Sequence, residues 1–179
     1  MPTANPSPAR QGFDDVLRFS TGLNETLSAF SVPDQLPPEL ELRVMRQTRT
    51  FMLLITVGAF DAFTTERCQE LRIRPAPLGG SSKGRPLSPH RASFREKLYA
   101  LRDRLVPADA WAARVEDAYE IYYNARTLWI HGVGLPSAVG DRPRNLSVFE
   151  QDSDGRYWVS EQLWSGCVGA LRGLADDCC

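Results

Sequence analysis

Hydrophobic positions recur at helical spacing along most of this chain. The first twelve residues, MPTANPSPARQG, are rich in proline and small polar residues, a composition that predicts disorder. Phe13, Val16, Leu17, Leu23, Leu27 and Phe30 then fall at roughly helical spacing, with Ser20 and Gly22 weakening the pattern. One or two short helices are expected there. VPDQLPPE breaks the chain, and the longest helix follows, from Glu39 to about Arg74, between Pro37–Pro38 and Pro75. Its middle is apolar nearly all round, through Met52, Leu53, Leu54, Ile55, Val57, Phe60 and Phe63. A helix of that kind lies at the centre of its domain. Asp61 interrupts this surface, either as a solvent-facing carboxylate or as the partner of a buried cation.

Pro75 to Arg91 has the composition of a flexible loop. It fails the test for a phosphate-binding P-loop, because Lys83 precedes Gly84 and no strand leads in. Ser93 and Glu96 form a capping box, SFRE, ahead of a stripe of Phe94, Leu98, Leu101 and Leu105. Pro107 ends that helix, and another runs from about Asp109 to Ile130, with Gly132 suited to a left-handed cap. Two short β-prone runs flank Asp154–Gly155 and predict a hairpin over Leu146 to Ser160. EQLWSGCVGALRGLADD closes the chain as an amphipathic helix weakened by Gly166, Gly169 and Gly173. The pattern predicts an all-α fold, a helical bundle with a small β-hairpin before the C-terminal helix. Residues 1–36 form a disordered or short-helix N-terminal segment in this reading, and residues 37–179 the helical domain.

Composition agrees with one globular domain: 179 residues, 42% hydrophobic and 24% charged. The net charge of -1 supplies no global basic field. Charge is uneven, however. Ten cations between Arg67 and Arg104 face only Glu70, Glu96 and Asp103, which is either a solvated face or a phosphate-attracting surface. The functional reading of the Pro75 to Arg91 loop is a substrate-contacting arm carrying Lys83, Arg85 and Arg91, with Arg95 just beyond it, while His90 suits a solvated loop. The four cysteines form no C-x-x-C pair, which points to free thiols in a cytoplasmic setting, and the terminal DDCC is expected to fray. The longest apolar run, Phe51 to Phe60, is half of the roughly 20 residues a spanning helix needs, so no membrane partner is expected.

One stretch carries distinct chemistry. In YYNARTLWIHG, Arg126 shares a helix face with Val115, Ala118, Tyr119, Tyr122 and Trp129. A guanidinium in register with an apolar stripe needs an anion, either a carboxylate of the fold such as Asp61 or a ligand phosphate. His131 lies about 140° further round, near the line of Glu120, Asn124 and Thr127, and titrates in the range suited to acid–base work. With two histidines and no cysteine cluster, no metal site is expected, and no cofactor is implied.

Arg126-Thr127-Leu128-Trp129-Ile130-His131-Gly132 resembles the R-x(4–6)-H motif of the HEPN superfamily. The surrounding layout over roughly residues 39 to 175, with an acid in the long apolar helix (GAFDAF), is similar to small bacterial HEPN proteins of the Apea-like kind. Many active members of that family carry a polar residue, often asparagine, directly after the arginine, where this chain has the polar but less typical Thr127. The resemblance implies a metal-independent endoribonuclease, a toxin or defence effector that leaves a 2′,3′-cyclic phosphate. It implies a homodimer whose two motifs line one cleft, an RNA substrate and a possible cognate antitoxin. Arg126 would bind the scissile phosphate and His131 would act as general acid or base, with Thr127 and Asn124 as supporting polar groups. Two alternatives stand beside it: a non-catalytic HEPN module that binds a partner protein or nucleotide, and a structural helical protein in which Arg126 pairs with Asp61.

Overall fold

A computed structural model describes residues 7–29, 38–78, 85–105, 114–123, 150–151 and 157–179. Five helices occur among them: α1 (Pro8–Ala29), α2 (Pro38–Glu70), α3 (Phe94–Leu105), α4 (residues 114–123) and α5 (Glu161–Asp177). The protein is mostly helical, as the periodicity predicts. Two-residue strands, β1 (Glu150–Gln151) and β2 (Tyr157–Trp158), pair antiparallel, with Glu150 opposite Trp158. The expected turn at Asp154–Gly155 lies outside the described residues.

The N-terminal expectation is corrected. Helix begins at Pro8, within the stretch predicted to be disordered, and continues unbroken past Ser20 and Gly22. Ser7 caps it: its side chain accepts from the Arg10 amide at 3.3 Å, and Pro8 occupies the first helical position, where a missing N–H costs nothing. Burial overrides the weak propensity. Ala9, Phe13, Leu17, Ser20 and Asn24 form one buried stripe against α2. The segment therefore shares the core of the helices that follow.

Helix α2 is central and packs against α1, α3 and α5. Its end is set at Glu70, a turn before the expected Arg74. Arg72 adopts a left-handed backbone (φ 54°), the Ile73 amide donates to the Cys68 carbonyl at 2.8 Å, and the Arg72 amide donates to Gln69 at 3.0 Å. These two bonds are a Schellman closure with arginine where glycine is usual. Side-chain ties give the helix directions. Asn24 meets Arg49 and the Ala9 amide meets Glu70, so α1 runs antiparallel to α2. Arg49 meets Glu161 and Arg67 meets the Cys178 carbonyl, so α5 runs parallel to it.

Aromatic rings fill the middle of the core. Phe13, Phe60 and Phe63 lie within 5.4–5.8 Å of one another, Phe94 meets Phe60 edge-on at 5.8 Å, and Tyr122 of α4 stacks on Phe94 at 4.5 Å. Burying one such ring contributes about 1.5–3 kcal/mol. The C-terminal end does not fray. Arg10 binds Asp176 at 2.6 Å, Arg114 binds Asp177 at 2.6 Å, and Arg67 donates to the Cys178 carbonyl at 2.7 Å. Cations from α1, α2 and α4 thus hold the negative end of the α5 dipole and bury Cys178.

Candidate functional site

Asp61 lies on the α2 face that meets α3. There Lys97, only 3% exposed, reaches across to it. The Lys97 ammonium donates to the Asp61 carboxylate, to Thr65 Oγ1 at 2.8 Å and, more weakly, to the Asp61 carbonyl at 3.4 Å. Three donors meet three acceptors, which is the condition for keeping an ammonium charged out of water. Asp61 keeps about a third of its side chain (33%) in solvent, so hydration offsets part of the burial cost on the acid. Cys68 is about two turns further along α2 than Asp61. Burial pushes its thiol up to about 11, against the lowering effect of Lys97, which makes it a poor nucleophile near neutral pH.

Sequence periodicity placed a candidate cation partner for Asp61 at Arg126. Among the described residues the cation that meets it is Lys97, which sequence reading passed over. The signal was present: Lys97 is three residues after Phe94 and four before Leu101, inside the apolar stripe of α3. Arg126, Thr127, His131 and Asn124 lie outside the described residues, as does Lys83. Among the described residues, α4 presents Tyr119, Tyr122 and Tyr123 half-buried.

The candidate cations before and at the start of α3 separate into two kinds. Arg95 is engaged within the fold. It binds Glu116 of α4 at 2.8 and 3.1 Å, and its guanidinium lies 5.0 Å from the Tyr119 ring and 5.5 Å from the Tyr99 ring. The Tyr99 hydroxyl also donates to Glu116, and that bond first, then Arg95, holds Glu116 below the ordinary carboxylate range against the opposing effect of burial. Arg85 and Arg91, by contrast, are exposed on the segment leading into α3. His90 Nε2 meets the Gln69 side-chain nitrogen at 2.5 Å. Ser93 caps α3 as the capping box predicts: its amide donates to Glu96 at 2.7 Å, and its hydroxyl accepts from the Glu96 amide at 3.3 Å.

Among the described residues no three metal-ligating side chains gather at one place, and no helix is long and apolar enough to cross a membrane. In comparisons with known proteins, no family model matches the chain, and no curated protein or solved structure does either.

Proposed function

We propose that this chain is a metal-independent endoribonuclease of the HEPN type, working as a homodimer on RNA. The observation that supports this reading is the Asp61–Lys97 pair. Arg126 is in register with an apolar helix face and needs an anion. The leading internal candidate, Asp61, already has its cation. That favours a ligand phosphate as the partner of Arg126 over a structural ion pair.

In the proposed reaction, His131 takes the proton of a ribose 2′-hydroxyl and the 2′-oxygen attacks the adjacent phosphorus. The bond to the 5′-oxygen breaks, that oxygen leaves as a hydroxyl by taking a proton from the imidazolium so formed, and a 2′,3′-cyclic phosphate remains. Arg126 holds the non-bridging oxygens in a planar fork while charge builds on them. Thr127 and Asn124 support that geometry. The dimer forms through the α4 face, whose half-buried tyrosines suit an interface centre. The small hairpin ahead of α5, a cytoplasmic setting and a cognate antitoxin belong to the same proposal.

The test is cleavage of a labelled RNA in EDTA by the wild type, Arg126→Ala, Arg126→Lys and His131→Ala, with light scattering for the dimer. Cleavage by the wild type alone, leaving a cyclic phosphate end, is the expected result. Equal cleavage by parent and variants refutes the assignment. No cleavage, with a loss of stability in Arg126→Ala, returns Arg126 to a structural role.

A further inference from the structure

A built cationic surface stands at the end of the bundle where α2 closes and α3 begins. From Leu71 to Arg95 the chain contains no acidic residue. Two runs of this stretch, residues 71–78 and 85–93, touch each other. The Leu87 amide donates to the Pro75 carbonyl at 2.8 Å, and His90 meets Gln69 at 2.5 Å. Arg72 and Arg74 on the first run, and Arg85 and Arg91 on the second, are all exposed. No salt bridge to any of these four occurs among the described residues.

The neighbouring acids are already committed. Glu70 binds Arg67 at 2.8 Å and accepts from the Ala9 amide. Glu96 accepts from the Ser93 amide at 2.7 Å and from the Leu78 amide at 2.9 Å. Glu70 is thus paired with a cation while Glu96 keeps its charge on neutral donors, and among the described residues the four arginines outnumber the acids beside them.

The backbone that carries them is stiff. Pro75 and Pro77 stand on one run and Pro86 and Pro89 on the other. Pro75 is buried, and the Glu96 bond fastens Leu78 to the capped start of α3. Arg72 occupies a left-handed position, φ 54°, where glycine is the easier residue.

We propose that Arg72, Arg74, Arg85 and Arg91 form a docking track for the phosphodiester backbone of single-stranded RNA. This rests on RNA as the substrate. The spaced, fork-shaped cations on two fixed runs suit a chain of phosphates, and Arg95 is left out because Glu116 neutralises it.

The experiment measures binding without cleavage. Fluorescence anisotropy of the full chain with a 2′-O-methylated uridine oligonucleotide, which has no 2′-hydroxyl to attack, is followed from about 50 to 200 mM salt. Four neutralised phosphates give a logarithmic salt slope of about -3, or about a 50-fold loss of affinity over that range. The fourfold Arg→Gln variant is expected to lose the slope, Arg74→Gln with Arg91→Gln to halve it, and the fourfold Arg→Lys variant to restore it. Arg18→Gln on α1 leaves it unchanged. An unaltered slope in the glutamine variants overturns the track. Tighter binding to phosphatidylserine vesicles or to polyglutamate than to the oligonucleotide overturns RNA as its ligand. RNA cleavage with no track-dependent binding overturns this inference alone, whereas track-dependent binding with no cleavage by the wild type supports it and overturns the ribonuclease reading.

Discussion

Asp61→Asn is expected to cost more than Lys97→Met, although both break the same pair. The difference follows from burial. Lys97 is 3% exposed, so Asp61→Asn leaves an ammonium in the core with a neutral amide, the Thr65 hydroxyl at 2.8 Å and a distant carbonyl. Stranding a buried charge costs about 3–5 kcal/mol, and the remaining acceptors put this case near the lower end, about 3 kcal/mol. Lys97→Met keeps the volume of the lysine stem and strands only a carboxylate that is 33% exposed and able to hydrate. Its cost is about 1–2 kcal/mol. The double variant removes both charges and falls close to Lys97→Met alone, which gives a coupling of about 2–3 kcal/mol. Urea unfolding at pH 7 measures all four proteins. With a slope of about 2 kcal/mol per molar, Asp61→Asn lowers the midpoint by about 1.5 M. A cost below about 0.5 kcal/mol for Asp61→Asn, or a larger cost for Lys97→Met, refutes the account of this pair.

Three further outcomes are expected. Of the four cysteines, only Cys179 is exposed, and burial pushes Cys68 and Cys167 up to about 11 and Cys178 to about 12. A thiol reagent at pH 8 should modify about one group in the native protein and the others only on unfolding; fast modification of a second would contradict the packing. Gly166 and Gly169 lie on the exposed side of α5, with open space where a Cβ would stand. Alanine at either should raise stability by about 0.5–1 kcal/mol, and a loss measured by thermal unfolding would show that the position is not free. Burial raises Glu70 and Glu96, but Arg67 and the Ala9 amide outweigh it at the first, and the Leu78 and Ser93 amides at the second. With Glu116 also held down, all three titrate below 4.5 when folded, so their stabilisation is complete above that value and is lost as pH falls through the folded pKa values. The urea midpoint should hold above about pH 5 and decline below, with a shallower decline in Glu116→Gln; no decline would remove these bonds from the account.

The sequence is most informative where one face is buried and one is wet. Helix α5 occupies the predicted residues, and α3 starts at the predicted capping box, because apolar spacing and capping chemistry agree there. Helix α1 is less legible. Its stripe includes Ser20 and Asn24, whose polar groups are satisfied only across the helix pair: Ser20 meets the Thr56 hydroxyl at 3.1 Å, and Asn24 accepts from Arg49 at 3.2 Å. No local pattern reveals that a serine is buried because another helix brings it a partner. Lys97 is the instructive omission. A cation in the apolar stripe of α3 needs an anion as much as Arg126 does, and Asp61 is the acid set in the apolar surface of α2.

The parallel alignment of α2 and α5 also has a consequence for folding kinetics. Arg49 and Glu161 are 112 residues apart in the chain, whereas α1 meets α2 across a short connection. During synthesis the α1–α2 hairpin can assemble early, while the side of α2 that receives Trp164, Val168 and Leu171 stays bare until α5 emerges. Closing so long a loop is slow, because its entropy must be lost before the contacts reward it. The nascent protein therefore passes through a stage with the α5-facing side of its central helix uncovered, and that stage is where aggregation or chaperone capture competes with folding.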